Sequence, residues 1–316
     1  MAQVVCFGEA LIDFLNTGRT TEDGLRINQF SQYPGGAPAN VAVAIAKLGG
    51  EAAFAGQLGD DLFGDFLLQS LKSYDVDTSL VERHPSAPTA LAFVFLDESN
   101  DRQFKFLRQH TADLVFRPEQ VSHAWFASAS MLHFCSNTLT DHSISDATRQ
   151  VLSTARQCDA VISFDANLRH NLWESGEANA TRVNGFAKST DILKLSREEL
   201  TFLADGDETG YLSMLFENGV QLIVMTDGAN AIHALRPGSE TVIEPPSVQA
   251  VDTTGGGDAF MGGLLFGLSR SDHVLARVRS DVELTKVLEF AARCGALAVS
   301  RPGAFPAFPS AAEMFT

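Results

Sequence analysis

Ala250-Val251-Asp252-Thr253-Thr254-Gly255-Gly256-Gly257-Asp258-Ala259-Phe260-Met261-Gly262-Gly263-Leu264 is the stretch on which the fold turns. Three consecutive glycines cost backbone entropy and need a reason. The apolar and small residues from Ala259 to Leu268 suit a tightly packed helix. Gly255, Gly256 and Gly257 then stand at its start with N–H groups aimed outward, where bare backbone and the helix dipole favour an anion. Asp258 in the first turn faces the same anion. A carboxylate beside a phosphate is costly, and makes sense if it takes a proton from an attacking hydroxyl. Taken alone, the triplet reads equally well as a tight strand-to-helix turn with Asp258 as a favourable first-turn acid.

A second glycine turn shifts that balance. Pro34-Gly35-Gly36-Ala37-Pro38-Ala39-Asn40 opens into the Ala-rich helix Val41 to Leu48, stopped by Gly49-Gly50, and Asn40 is placed to project an amide toward whatever the loop cradles. Around these turns run short apolar segments: Val4 to Gly8, Ala53 to Gly56, Met131 to Phe134, Ala160 to Asp165, Ile192 to Leu195 and Gln221 to Thr226. With helical stretches between them, such as Asp65 to Leu71, they predict a parallel sheet covered on both faces. Thr89 to Arg108 breaks the rhythm. Ala90–Leu96 and Gln103–Leu107 flank the polar cluster Asp97–Asp101 and read as a hairpin. Asn16 to Gly24 is polar; Ile27 to Tyr33 reads as an edge strand that joins the hairpin in a small sheet beside the main body.

The composition fits an ordinary globular chain, with 45% hydrophobic and 20% charged residues over 316 positions. A formal charge of -16 disfavours nucleic acid as a partner, while leaving room for a small anion bound by backbone amides and a metal. No apolar run is long enough for a membrane span. The opening MAQVVCFGEALID has no basic leader, so a cytoplasmic protein is expected. Cys6, Cys135, Cys158 and Cys294 lack metal-ligand spacing and are expected to be free thiols in a reducing compartment.

Both glycine motifs, in this order, resemble the signatures of the ribokinase-like, or PfkB, family of carbohydrate kinases, and the similarity runs from end to end. The resemblance implies an α/β three-layer sandwich with a mostly parallel central sheet and a small β-sheet lid. It implies a single domain over residues 1–316, with lid segments at about 14–34 and 88–112 inserted in the core. It further implies that Asp13 accepts hydrogen bonds from a sugar, with Gly35, Gly36 and Asn40 around it. Gly255, Gly256 and Gly257 form the anion hole and Asp258 is the base. Arg169, in Asp165-Ala166-Asn167-Leu168-Arg169, stands near the phosphates or else makes a surface ion pair. Thr226, Gly228, Lys194 and Thr253 join Gly255 and Gly257 at the nucleotide.

Two positions depart from the family pattern. Ser196-Arg197-Glu198-Glu199 keeps the glutamate of its magnesium motif and lacks the asparagine, so the metal is expected on Glu199 through water. Ala292 stands where an asparagine often meets adenine. Asp252, Thr254 and Gly303 mark the family's monovalent-cation position, a potassium site by implication.

ATP and Mg2+ are therefore the expected co-substrate and metal, and a homodimer paired through the lid sheet is the expected assembly. Phe106-Leu107-Arg108, Thr111-Ala112-Asp113-Leu114 and the run from Asp165 to Trp173 resemble fructokinases most, with 2-keto-3-deoxygluconate kinases as rivals. Arg108 either reaches over the sugar or sits on the exposed face of the lid. A reading of another class, a silent sugar- or nucleotide-binding regulator, is disfavoured by the intact Asp258 and its glycine loop.

Overall fold

Val4 and Cys6 face one hydrophobic core while Val5 and Phe7 face another, because successive strand side chains point to opposite sides. That alternation makes β1 (Gln3–Phe7) a central strand of a sheet covered twice. The computed structural model describes residues 3–96, 102–271 and 273–315. In chain order, β2 (Leu11–Glu22) and β3 (Leu25–Gly35) form a hairpin. They are followed by α1 (Ala37–Lys47), β4 (Ala52–Gly59), α2 (Leu62–Ser73) and β5 (Val81–His84). A second hairpin is made by β6 (Leu91–Leu96) and β7 (Arg102–Leu107), and its Asp97–Asp101 turn lies outside the described residues.

The α/β rhythm then resumes: β8 (Ala129–Cys135), α3 (His142–Gln157), β9 (Val161–Asp165), α4 (Ala180–Ala187), β10 (Ile192–Ser196), α5 (Arg197–Ala204), α6 (Glu208–Glu217) and β11 (Leu222–Thr226). An antiparallel pair, β12 (Ile232–Arg236) and β13 (Ser239–Ile243), precedes α7 (Gly256–Ser269), α8 (Val274–Arg279), α9 (Asp281–Val299) and α10 (Ala311–Phe315).

The main sheet has nine strands in the order β13-β12-β11-β10-β9-β8-β1-β4-β5, parallel except where β12 pairs with β11 and β13. One face is covered by α1, α2, α7 and α9, the other by α3 to α6. Small residues set how closely the first layer packs. A Cβ on Gly262 of α7 would lie 2.4 Å from the Ala44 Cβ of α1, so those two helices meet almost backbone to backbone. The second sheet has four strands, ordered β3-β2-β6-β7. The three-layer sandwich and small sheet anticipated from sequence are both present.

Four local expectations need correction. Asn16 to Gly24, assigned no element from its polar sequence, is mostly strand: β2 runs to Glu22, bulged between Asn16 and Gly18 and paired with β3 and β6. The Asp65–Leu71 helix begins earlier, at Leu62, because the Asp61 side chain caps it through the Gly64 N–H. The helix expected from Val41 begins at Ala37, with Pro38 in its first turn, where a missing N–H costs nothing. Finally, α7 includes Gly256 and Gly257; Gly255 alone is its cap, at φ 73. All four cysteines are free, and no helix among the described residues is long and apolar enough to cross a membrane.

Candidate active site

The two glycine turns meet. Asn40, in the first turn of α1, donates its Nδ2 to Asp258 Oδ2, in the first turn of α7, at 2.7 Å across 218 residues of sequence. Asp258 is half-buried and Gly257 beside it is exposed, so the carboxylate lies near the protein surface rather than deep in the packed interior. Burial raises its pKa, and the Asn40 amide together with the Arg169 and Lys194 charges holds back part of that rise. A carboxylate so tuned is suited to receive a proton.

The start of α7 is open on that side. Gly256 N–H reaches the Thr253 carbonyl at 3.3 Å, while first-turn N–H groups beyond it have no carbonyl one turn earlier in the helix. Gly255 accepts the Ala259 N–H at 2.8 Å, fixing the first turn. Asp252 secures the loop before it: Oδ1 accepts the Thr254 N–H at 2.8 Å and Oδ2 the Gly303 N–H at 3.0 Å. Three residues of the expected monovalent-cation position are thereby brought together. Thr226 closes β11 and Gly228, at φ 55, follows it in the next turn.

The start of α1 is closed instead. Its Ala37 N–H donates to Glu9 Oε1 at 3.2 Å, and Asn137 Nδ2 donates to the same oxygen at 2.8 Å. Glu9 is 1% exposed, and its pKa is raised by burial against the opposing pull of Arg108 and Asn137. Gly36 has φ 102, and a Cβ there would sit 2.5 Å from the Glu9 carbonyl oxygen, so the tight approach admits glycine only. A Cβ on Gly35 would lie 2.1 Å from Asp13 Oδ2, which shows how Gly35 makes room for that carboxylate. Asp13 is pushed up to about 7, by burial first and by the Asp258 charge second.

Buried nearby, Lys194 of β10 pairs with Asp165 of β9, directly opposite in register, at 3.0 and 3.1 Å. Burial alone would lower the lysine; attraction to Asp165, Glu199 and Asp258 reverses this and raises it. Glu199 completes a capping box on α5: Oε2 accepts the Ser196 N–H at 2.7 Å and Oε1 the Leu168 N–H at 2.6 Å. Ser196, where the family pattern has asparagine, is the cap of α5. Ala292 packs in the core of α9 at 4% exposure.

Arg108 is not on an exposed face. It follows β7, is buried, and gives Nε to Asp113 at 2.6 Å, one terminal nitrogen to the Asn137 carbonyl at 3.0 Å and the other to Thr140 at 3.4 Å. Arg169 is exposed and bonds the Leu168 carbonyl at 3.4 Å; the surface ion pair is not formed among the described residues. Sequence reasoning passed over Glu9 and Asn137, although an acid inside the buried run Phe7 to Ile12 was a signal. Two cavities of about 410 and 500 Å³ open elsewhere, against α3–α4 and α4–α5, and neither is lined by any of these residues.

A parallel sheet with acids and glycine-led helix starts gathered at its strand ends is the architecture of an α/β phosphotransferase site. The chain belongs to the pfkB family of carbohydrate kinases, whose family model matches residues 1–311. It is 38% identical to a probable fructokinase-2 of Arabidopsis thaliana, over 98% of this chain and 94% of that protein. Among solved structures it is similar to a fructokinase from Xylella fastidiosa with bound ATP. There the TM-score is 0.92 and the identity 39%, covering 99% of this chain and 97% of the other. A fructokinase double mutant from Vibrio cholerae O395, in a form with fructose, ADP and potassium bound, gives a TM-score of 0.87 at 31% identity, covering 100% and 97%.

Proposed function

We propose that this carbohydrate kinase uses ATP to phosphorylate fructose at its 6-hydroxyl. The observation that carries the reading is the Asn40–Asp258 hydrogen bond, which puts the sugar-side helix and the base at one point beside the open start of α7. Asp13, Gly35, Gly36 and Asn40 hold the sugar. Its hydroxyl oxygen forms a bond to the γ-phosphorus as the bond to the bridging oxygen breaks. The electron pair leaves with ADP and the hydroxyl proton goes to Asp258. Amides at Gly255 to Gly257 receive the phosphoryl oxygens, with Arg169 at the rim and Thr226, Gly228 and Thr253 along the nucleotide.

A neutral ketose fits better than a sugar acid. The Arg108 nitrogens are all engaged, and Asp13 and Asp258 bring two mutually repelling acids to the proposed sugar side. A carboxylate-bearing sugar such as 2-keto-3-deoxygluconate would need a free cation there. A coupled assay of fructose, ribose, adenosine and 2-keto-3-deoxygluconate with magnesium and ATP is expected to favour fructose. Clear preference for any of the others overturns the assignment.

No cluster of three His, Cys, Asp or Glu able to hold a metal occurs among the described residues. This suits magnesium, which binds through phosphates and water with one or two carboxylates; Glu199 is the residue to meet it, bringing charge neutralisation to the phosphates. Asp252, Thr254 and Gly303 are the place for potassium. The small sheet serves as a lid that excludes water from the phosphoryl group. Its partly exposed Phe14, Phe30, Phe93 and Phe95, stacked edge and face, offer the apolar surface for a homodimer in the cytoplasm.

A further inference from the structure

We propose that Lys47 is a positioning residue for phosphoryl transfer: it holds the turn at residues 303–308 against Gly255 and so sets where the first amides of α7 stand. The inference rests on the kinase reading and adds a residue at the far end of α1 from Asn40.

Between α9 and α10 the chain reads Arg301-Pro302-Gly303-Ala304-Phe305-Pro306-Ala307-Phe308, with neither helix nor strand. Gly303, Ala304, Phe305, Ala307 and Phe308 are buried, so the backbone groups there need partners within the protein. The Ala304 carbonyl accepts the Ala307 and Phe308 N–H groups at 2.9 and 3.2 Å, which closes the turn. Lys47, the last residue of α1, secures its tip. The ammonium donates to the Phe305 carbonyl at 2.9 Å and to the Pro306 carbonyl at 3.2 Å. It also lies 5.4 Å from the centre of the Tyr74 ring, which meets Phe305 edge-on at 5.8 Å. Lys47 is half-buried as a result, and burial lowers its pKa. The end of α1 does not need this cation: the Ile45 and Ala46 carbonyls already accept the N–H groups of Leu48, Gly49 and Gly50.

The same turn backs the start of α7. Gly255, the cap at φ 73, has the Phe308 ring where a side chain would go. A Cβ there would lie 2.9 Å from that ring and 3.5 Å from the Ala304 Cβ. On the other side of the turn, Asp252 accepts the Gly303 N–H and, through its second oxygen, the Thr254 N–H. Two anchors therefore fix the turn, Asp252 at Gly303 and Lys47 at Phe305 and Pro306. Without the ammonium, two adjacent carbonyls lose their donor, and Phe308 no longer has one place against Gly255. Preorganised donors work only where they already stand, and a misplacement of about 1 Å costs roughly 10²-fold in rate. The sugar side is independent of this. Glu9 holds the first turn of α1, and Ala44 packs on Gly262 of α7, neither through Lys47. Lys47 itself moves no proton and touches no reacting atom.

The test compares wild type with Lys47→Met, Phe308→Leu and the double variant in the fructose and ATP assay. Wild-type protein inactive on every sugar in the panel would sink the kinase reading itself, separately from this inference. With active wild type, Lys47→Met is expected to lose about 10–100-fold in kcat. Fructose affinity by calorimetry should stay within about threefold, because the sugar side keeps its own supports. Phe308→Leu, which gives Gly255 slack from the same side, should lose about tenfold in kcat with the same unchanged affinity. The double variant should fall within about threefold of the worse single, since both changes act through one turn. A lysine that only stabilises the fold gives no such split between kcat and affinity and no such shared loss. Lys47→Met within about threefold of wild type in kcat overturns the proposal. So does a loss in which kcat and fructose affinity fall together, or a double variant whose losses multiply. If Lys47→Met does not fold, Phe308→Leu decides, and a kcat within about threefold of wild type is then fatal.

Discussion

The two glycine-led helix starts look alike in sequence and do opposite things. At α1 the chain fills its own anion position: Glu9 accepts the Ala37 N–H, and Gly36 lies so close to the Glu9 backbone that no side chain fits. At α7 the Gly256 N–H meets a backbone carbonyl, that of Thr253, rather than a carboxylate. A buried ammonium and an exposed Gly257 face that space instead. A glycine turn before a helix therefore announces an anion, and only the surroundings decide whether the anion is internal or a substrate. In this kinase the internal one braces Asn40, and Asn40 reaches Asp258 at the open start.

The largest effect that would sharpen this contrast is at the open start. Asp258→Asn should lower kcat by roughly 10²–10⁴-fold, the worth of a general base, while calorimetry shows fructose still bound. Near-normal turnover would remove Asp258 from the chemistry. At the closed start the loss should appear as stability. Gly36→Ala, at φ 102 and against the Glu9 carbonyl, should cost on the order of 1–3 kcal/mol, read from urea unfolding. The matching change at the open start, Gly257→Ala, meets only the flexible Lys194 tip at 3.2 Å. Its unfolding free energy should shift by less than about 1 kcal/mol while kcat falls. Equal stability losses at the two glycines would erase the distinction drawn here.

The smallest effect concerns pH. Asp13 is raised to about 7 in the folded protein, by burial and then by Asp258. A carboxyl raised on folding contributes stability below its unfolded pKa, and that contribution is lost as pH rises through the folded value. In the empty protein, melting temperature relative to Asp13→Asn should thus decline between about pH 4 and pH 7. Fructose affinity should run the other way, rising through pH 7 as Asp13 becomes the charged acceptor. A difference between the two proteins that is flat with pH would show that Asp13 carries no such shift.

Much of this was legible before any coordinates. Short apolar runs flanked by turns gave six of the strands their place, since each is buried on both faces and has little room for polar residues. Most of the strands that escaped notice are edge or small-sheet strands, and β12 (Ile232–Arg236), one place in from the edge, escaped with them. Thr17 to Glu22 of β2, Val81–His84 and Ser239–Ile243 carry exposed polar side chains, so their sequence resembles a loop and their pairing is what makes them strands. Of the two readings of Arg108, the exposed one fails in a related way. An arginine after a hairpin suggests a surface, but Asp113, five residues on, neutralises it and lets it be buried.

Within the site, the sequence by itself determined the chemistry available: glycines where backbone must be bare, an acid in the first turn of α7, an amide at the start of α1. These follow from local rules of helix starts and need no knowledge of neighbours. Only the tertiary structure decided which groups share a space. Asp165 and Lys194 are 29 residues apart and Asn40 and Asp258 are 218 apart. Strand register joins the first pair and the close packing of α1 on α7 the second. A charge takes its meaning from its nearest opposite, and that distance is set by packing rather than by order along the chain.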